Sequence, residues 1–360
     1  MARRTSASAF TRAYQRSLKA LTKATFRNGQ RVAKQVAKQV TRQVAQQGKP
    51  PPGAGDWLTG MALGPGGARG YHLFRPPDLR LAPGEKVPLL VMLHGCGQTG
   101  RDFAASTRMN RLAVRERFMV LYPEQDRIHH PQGCWNWYET RSGKADREAA
   151  SLVAGIDQVC LLYPVDRERI AVAGLSAGAG MAALLATRYP LRFRAVAVHS
   201  GVAPGAAQST ATALGAMRGR RVPVMPATAV GKALGAAVVG TTLPPMLVLH
   251  GDTDTVVAAS NAATTAAVWA TATGARPGLE RLLQRGQRHP MRVTDFKRDG
   301  HTWVTLCQVA RLGHAWSGGA ARLPFGDAAG PDASKLVWAF VARAFGQTQS
   351  VLINASNEAK

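Results

Sequence analysis

Arg169-Ile170-Ala171-Val172-Ala173-Gly174-Leu175-Ser176-Ala177-Gly178-Ala179-Gly180-Met181-Ala182-Ala183-Leu184-Leu185 is the stretch from which the fold is read. An alternating β-prone run meets a G-x-S-x-G turn and passes at once into an Ala/Leu-rich helical pattern. Strand, tight turn and helix in that order are what a nucleophile elbow requires, so Ser176 is the candidate nucleophile. The turn leaves no room for a Cβ two residues either side of the serine, which accounts for Gly174 and Gly178. It pushes Ser176 out at the strand end with the Ala177 amide beside it. In a chain with 37 glycines such a turn also arises by chance; the flanking strand and helix patterns give this one its weight.

Strands and helices alternate on both sides of the elbow. Residues 71–74 read as an early strand. Residues 87–93 are a nearly unbroken apolar run, as in a strand buried on both faces, ending in His94-Gly95-Cys96-Gly97-Gln98. Asp102 is a candidate N-cap for a helix to about Phe118, and residues 119–122 form another strand closed by Pro123. A helix over about 145–162, the elbow strand, its helix to Tyr189 and a strand over 194–199 continue the rhythm. A strand over 245–250, a helix over 260–273, a last strand over 302–311 and a closing helix over 334–345 complete it. This predicts an α/β fold with a mostly parallel, doubly wound sheet. Residues 205–243, rich in Ala, Gly and Thr without a clear period, read as an insertion on the catalytic face, a lid or a disordered segment.

The formal charge of +25 is uneven: the first acid is Asp56, and twelve Lys or Arg precede it. Residues 1–48 are expected to form a basic helical arm, residues 49–55 a Pro/Gly linker, residues 56–346 one catalytic domain and residues 347–360 a tail. Within the arm, Val32, Val36, Val40 and Val44 repeat every four residues beside Lys34, Lys38 and Arg42. The arm reads either as a solvated basic tail or as an amphipathic helix for a polymer granule, an anionic membrane or, less favoured, nucleic acid. No apolar run reaches the length of a membrane span. Arg3-Arg4 is followed by no apolar export segment, so a cytoplasmic or granule-associated location is expected, with secretion the alternative. Cys96, Cys134, Cys160 and Cys307 show no metal or redox spacing.

In an open α/β sheet the turns beyond strand C-termini converge on one crevice. The strand over 245–250 is followed by Gly251-Asp252-Thr253-Asp254-Thr255-Val256-Val257, and the strand over 302–311 by Leu312-Gly313-His314-Ala315-Trp316-Ser317-Gly318-Gly319. His314, alone of the nine histidines in following the final strand in a glycine-flanked turn, is the candidate general base. Asp254 is preferred as its acid over Asp252, which lies right after Gly251 and is better placed for local turn amides. An Asx turn is the plain alternative for both. His94 and His250 read as structural turn residues. The candidate oxyanion donors are the amides of Ala177 and Cys96. This chemistry calls for neither metal nor cofactor.

With these residues placed, the chain resembles the esterase family of poly(3-hydroxybutyrate) depolymerases, related to feruloyl and acetylxylan esterases. The resemblance rests on residues 93–98, Tyr122-Pro123-Glu124-Gln125, Cys134-Trp135-Asn136-Trp137-Tyr138, residues 165–181, His199-Ser200-Gly201, residues 251–257 and residues 313–319. It implies an α/β-hydrolase that cleaves polyester or small ester substrates through an acyl-enzyme. It also supports Asp254 as the acid. Trp135, Trp137, Tyr138 and Trp316 are expected to line a cleft for an apolar or aromatic group, with core packing as the alternative. In the strand order usual for that fold, Cys96 and Cys134 follow neighbouring strands, so a disulfide bracing the oxyanion loop is feasible, while Cys160 and Cys307 stay free. The other alternative is a granule- or nucleic-acid-binding protein on a hydrolase scaffold.

Overall fold

The computed structural model describes residues 50–77, 79–125, 127–221 and 243–358, without the side chains of 347–358. The arm expected over residues 1–48 lies outside them, as do residues 222–242 of the insertion.

Antiparallel strands β1 (Asp56–Gly64) and β2 (Gly67–Arg75) lead into β3 (Val87–Leu93). Next come α1 (Gly100–Thr107), α2 (Met109–Glu116), β4 (Met119–Pro123), α3 (Lys144–Leu162), β5 (Val165–Leu175), α4 (Ala177–Arg188) and β6 (Ala195–His199). Beyond them lie α5 (Thr210–Met217), β7 (Met246–Gly251), α6 (Ser260–Thr273), β8 (Arg276–Pro277), β9 (Arg281–Leu283), β10 (Met291–Arg298) and β11 (His301–Val309). Short β12 (Trp316–Ser317), β13 (Gly326–Asp327) and the long α7 (Ala333–Glu358) close the chain.

The main sheet has eleven strands in the order β1-β2-β4-β3-β5-β6-β7-β11-β10-β8, with β9 also paired to β10. From β4 to β11 every pairing is parallel, and antiparallel strands extend both edges. The chain runs outward from β3 to β4, then returns to β5 and continues the other way. This places the topological switch between β3 and β5, where ligands of open α/β sheets bind.

The apolar run of β3 follows from this sandwich. Leu89, Val91 and Leu93 pack with one face's core, which takes in α3, α4 and α6. Leu90 and Met92 pack with the other, which takes in α1, α2 and α7. Both faces are covered, so no polar alternation survives. Register then lines up the strand ends: Leu93 pairs with Gly174, Leu175 with His199, His199 with Leu249, and Gly251 with Val309.

Several expectations are corrected. The N-cap of α1 is Thr99; Asp102 is its reciprocal partner, with the Thr99 side chain accepting from Asp102 N–H and the Asp102 carboxylate from Thr99 N–H. The helix expected to run to Phe118 breaks at Arg108, whose φ of 56° is left-handed. The closing helix runs through Glu358, so residues 347–358 of the segment expected as a tail continue it. Strands β1 and β10 carry weak patterns: β1 exposes Met61 and Leu63, and β10 fully buries only Met291 and Val293, with half-buried Phe296 set among Asp295, Lys297 and Arg298.

Candidate active site

Ser176 caps the N-terminus of α4 with φ 56° and ψ −118°. A left-handed non-glycine residue costs about 1–3 kcal/mol and persists only where its surroundings over-determine it. They do so here: a Cβ on Gly174 would lie 2.2 Å from the Gly178 carbonyl oxygen, and one on Gly178 2.1 Å from that of Leu93. Ser176 N–H donates to the His199 carbonyl at 2.9 Å, tying the turn to β6. Ala177 is the first residue of α4, where an amide has no intrahelical acceptor.

Two strands away, the loop after β7 buries Asp254. Its Oδ1 accepts from the Val256 and Val257 amides, each at 2.9 Å. Its Oδ2 faces His314 Nδ1 at 2.7 Å and His250 Nε2 at 3.3 Å. Burial pushes the Asp254 carboxyl pKa up, but hydrogen bonds from His250 and His314, and their charge, outweigh burial and hold it well below the usual carboxylate range. Asp252 instead accepts from the Arg311 amide at 2.7 Å, pinning the loop after β7 to the one after β11. The His314 side chain is only 9% exposed, and its contact through Nδ1 leaves Nε2 free of that carboxylate. A carboxylate on Nδ1 is the arrangement that fixes the tautomer of a general base.

The loop after β3 approaches from the other side. A Cβ on Gly95 would stand 3.6 Å from Ser176 Cβ. Its amides divide by elimination: Gly95 N–H donates to Gln98 Oε1 at 2.9 Å, Gly97 N–H to Gln132 O at 3.0 Å and Gln98 N–H to Gly95 O at 3.2 Å. Among the described residues the Cys96 amide has no such partner. His94 stiffens the loop as a structural residue, with Nδ1 2.9 Å from Gly95 O and Nε2 accepting from Gln125 N–H at 3.1 Å.

Cys96 and Cys134 form a disulfide, while Cys160 and Cys307 are free. Burial pushes the Cys307 thiol up to about 12. The Cys134 segment is anchored in turn by a buried polar network. Glu148 meets Arg69 at 3.0 Å, Gln125 Nε2 at 2.7 Å and the Asn136 amide at 2.7 Å, and Gln125 Nε2 also donates to Cys134 O at 2.9 Å. Neither Arg69 nor Glu148 stood out in the sequence, since they lie 79 residues apart.

The four aromatic candidates separate. Trp135 and Trp316 are fully buried, with indole N–H groups donating to His94 O at 3.0 Å and Ser334 Oγ at 3.1 Å. They brace the loops instead of lining a cleft, because a buried indole N–H takes an internal partner. Trp137 is half-buried, lies against Gly180 at the start of α4, and meets the Tyr138 ring edge-on at 5.3 Å. Against this pair the described part of the insertion packs Ala206, Ala213 and Ala216 into a small apolar cluster with Val202 and Val257. Residues 205–221 thus contain α5 and packed apolar side chains.

The sequence carries no signal of a role for His199 and marks His250 only as a turn residue at a strand end. Both are buried. Among the described residues no group of three or more His, Cys, Asp or Glu side chains is arranged to hold a metal ion, and no helix is long and apolar enough to cross a membrane.

Residues 69–278 match the family described as "Esterase PHB depolymerase". "Poly(3-hydroxyalkanoate) depolymerase C" of Paucimonas lemoignei is 35% identical over 116 residues, 32% of this chain and 28% of that protein. "Feruloyl esterase B" of Neurospora crassa is 32% identical over 131 residues, 35% of this chain and 44% of that protein. The chain therefore spans less than half the length of these two curated relatives. Among solved structures, "Acetyl xylan esterase from Aspergillus awamori" superposes with a TM-score of 0.59 at 22% identity, covering 73% of this chain and 94% of that one. That similarity establishes the fold, an α/β-hydrolase.

Proposed function

Because the chain belongs to the Esterase PHB depolymerase family, we propose that it hydrolyses carboxylic esters with Ser176 as nucleophile, His314 as general base and Asp254 as the acid that orients it. The observation that carries the reading is the 2.7 Å contact between His314 Nδ1 and buried Asp254, two strands from a serine held at positive φ. His314 Nε2 takes the Ser176 proton as Oγ attacks the ester carbonyl, and Asp254 stabilises the imidazolium that results. The tetrahedral oxyanion is met by the Ala177 and Cys96 amides, donors already free and fixed before reaction. His314 then returns the proton to the departing alkoxide, and water releases the acyl group from Ser176 by the same steps in reverse.

The proposed substrate is a hydroxyalkanoate polyester or its oligomers, with the Trp137–Tyr138 face under the α5 insertion receiving the chain. Likeness to "Poly(3-hydroxyalkanoate) depolymerase C" supports this reading. A feruloyl or acetylxylan ester is the second reading, favoured by likeness to "Feruloyl esterase B" and by an aromatic pair able to hold a phenolic ring. The disulfide favours an oxidising compartment; the cytoplasmic location expected from the sequence finds no support. The arm is proposed to bind a polymer granule or anionic membrane, and nucleic acid is the competing partner.

Ranking kcat/KM on amorphous hydroxybutyrate polymer, hydroxybutyrate trimer, methyl ferulate and acetylated xylan tests the substrate. The polymer or trimer leads if the first reading is right. A lead for ferulate or acetylated xylan moves the chain to the second, and a wild type inactive on all four leaves only a binding scaffold.

A further inference from the structure

His199 takes no part in the reaction just described, yet it touches both halves of the site. It closes β6, between the strand that delivers Ser176 and the strand that leads to Asp254. Its carbonyl accepts the Ser176 amide at 2.9 Å. Its ring Nε2 lies 3.1 Å from the Ser317 amide, which can only donate, so Nε2 is an unprotonated acceptor. The ring proton therefore sits on Nδ1, which faces Ser200 Oγ at 3.1 Å. Ser317 is three residues past His314, and Trp316 between them stacks on the same imidazole with centroids 5.1 Å apart. Burial, with the nearby His250 and His314, pulls the His199 pKa down to about 3 against the opposing pull of Asp254, so the ring keeps its acceptor at neutral pH.

We propose that His199 is a positioning residue: its carbonyl and its Nε2 together fix the His314 loop against the nucleophile turn, setting the separation of Ser176 and His314. The inference rests on the esterase reading of those two residues. A misplacement of about 1 Å between reacting groups can cost about 100-fold in rate, and one residue gripping both loops removes that freedom. A packing role against Trp316 needs only the ring's bulk. The strut needs an acceptor at the Nε2 position, which Gln supplies at similar reach and Leu does not.

The test compares wild type, His199→Gln and His199→Leu by kcat and KM on a p-nitrophenyl ester and by hydrogen exchange of the Ser317 amide. The Leu variant should lose about 10- to 100-fold in kcat with KM little changed, and exchange Ser317 faster. Gln should restore most of both. Full kcat in the Leu variant, or a Gln variant as impaired as Leu, overturns the proposal. Should the Leu variant not fold, His199→Asn takes its place, being too short to reach Ser317: Gln active and Asn impaired supports the strut, and equal activity overturns it. If wild type turns over no ester, the esterase reading fails by itself. Exchange then still decides the strut: protection in wild type and Gln but not in Leu or Asn supports it, and uniform exchange overturns it.

Discussion

At the level of single residues the proposed site is built from two short chains of contact on either side of Ser176. One is His314 on Asp254, held by two backbone amides and shared with His250. The other is the Cys96 loop across the serine. If Ser176 and His314 act as a unit, Ser176→Ala and His314→Ala each cut kcat on a p-nitrophenyl ester by about 10⁴-fold or more, and the double mutant is little worse; additive losses refute a shared unit. Asp254→Asn should cost far more than Asp252→Asn, since only Asp254 touches His314, and the reverse ranking reassigns the acid. His199 adds a pH signature. Above about 6.5 it is neutral in both folded and unfolded chains; between about 6.5 and 3 the unfolded chain takes a proton that the folded one refuses, so stability is lost as the pH is lowered. Wild-type Tm should therefore fall more steeply from pH 6.5 to 4 than that of His199→Gln, and parallel falls contradict the buried neutral ring. Ser176, Asp254 and His314 were legible in the sequence as candidates because each sits in a short turn beside glycine at a strand end. His199 was not, because its partner Ser317 lies 118 residues away and its proposed role depends on one ring nitrogen.

Among the elements, the sheet order decides the site. Residues 87–93, 119–122 and 302–311 could be read as strands because their apolar side chains are buried. Strands β1, at one edge, and β10, which carries β8 and β9 at the other, could not, because exposed or charged side chains interrupt their apolar pattern. The break at Arg108 left no mark in helical period, since it is a single left-handed residue. The loop proposed to hold the oxyanion is tied to a segment outside its own strand by the Cys96–Cys134 bridge, which closes 38 residues. A loop of that size corresponds to about 4 kcal/mol in the chain-entropy account. Oxidised protein should show two titratable thiols after denaturation, from Cys160 and Cys307. Reduction should lower both Tm and esterase activity. Four thiols, or activity and Tm indifferent to reduction, contradict the bracing role.

For the whole molecule, every residue assigned to chemistry lies between Cys96 and His314, so the arm and the enzyme should be separable. Removing residues 1–48 is expected to leave turnover of small soluble esters unchanged while abolishing binding to polyester granules and anionic vesicles, binding that weakens as salt rises. Equal binding by both forms makes the arm a solvated tail, and selective loss of DNA binding makes nucleic acid the partner. The claim on which the rest depends is that Ser176 is a nucleophile activated by His314. A fluorophosphonate probe followed by peptide mass spectrometry reads it directly. A single adduct on the Ser176 peptide in wild type, absent in Ser176→Ala and strongly slowed in His314→Ala, is the result this account predicts; an unlabelled protein, or an adduct on another residue, contradicts it.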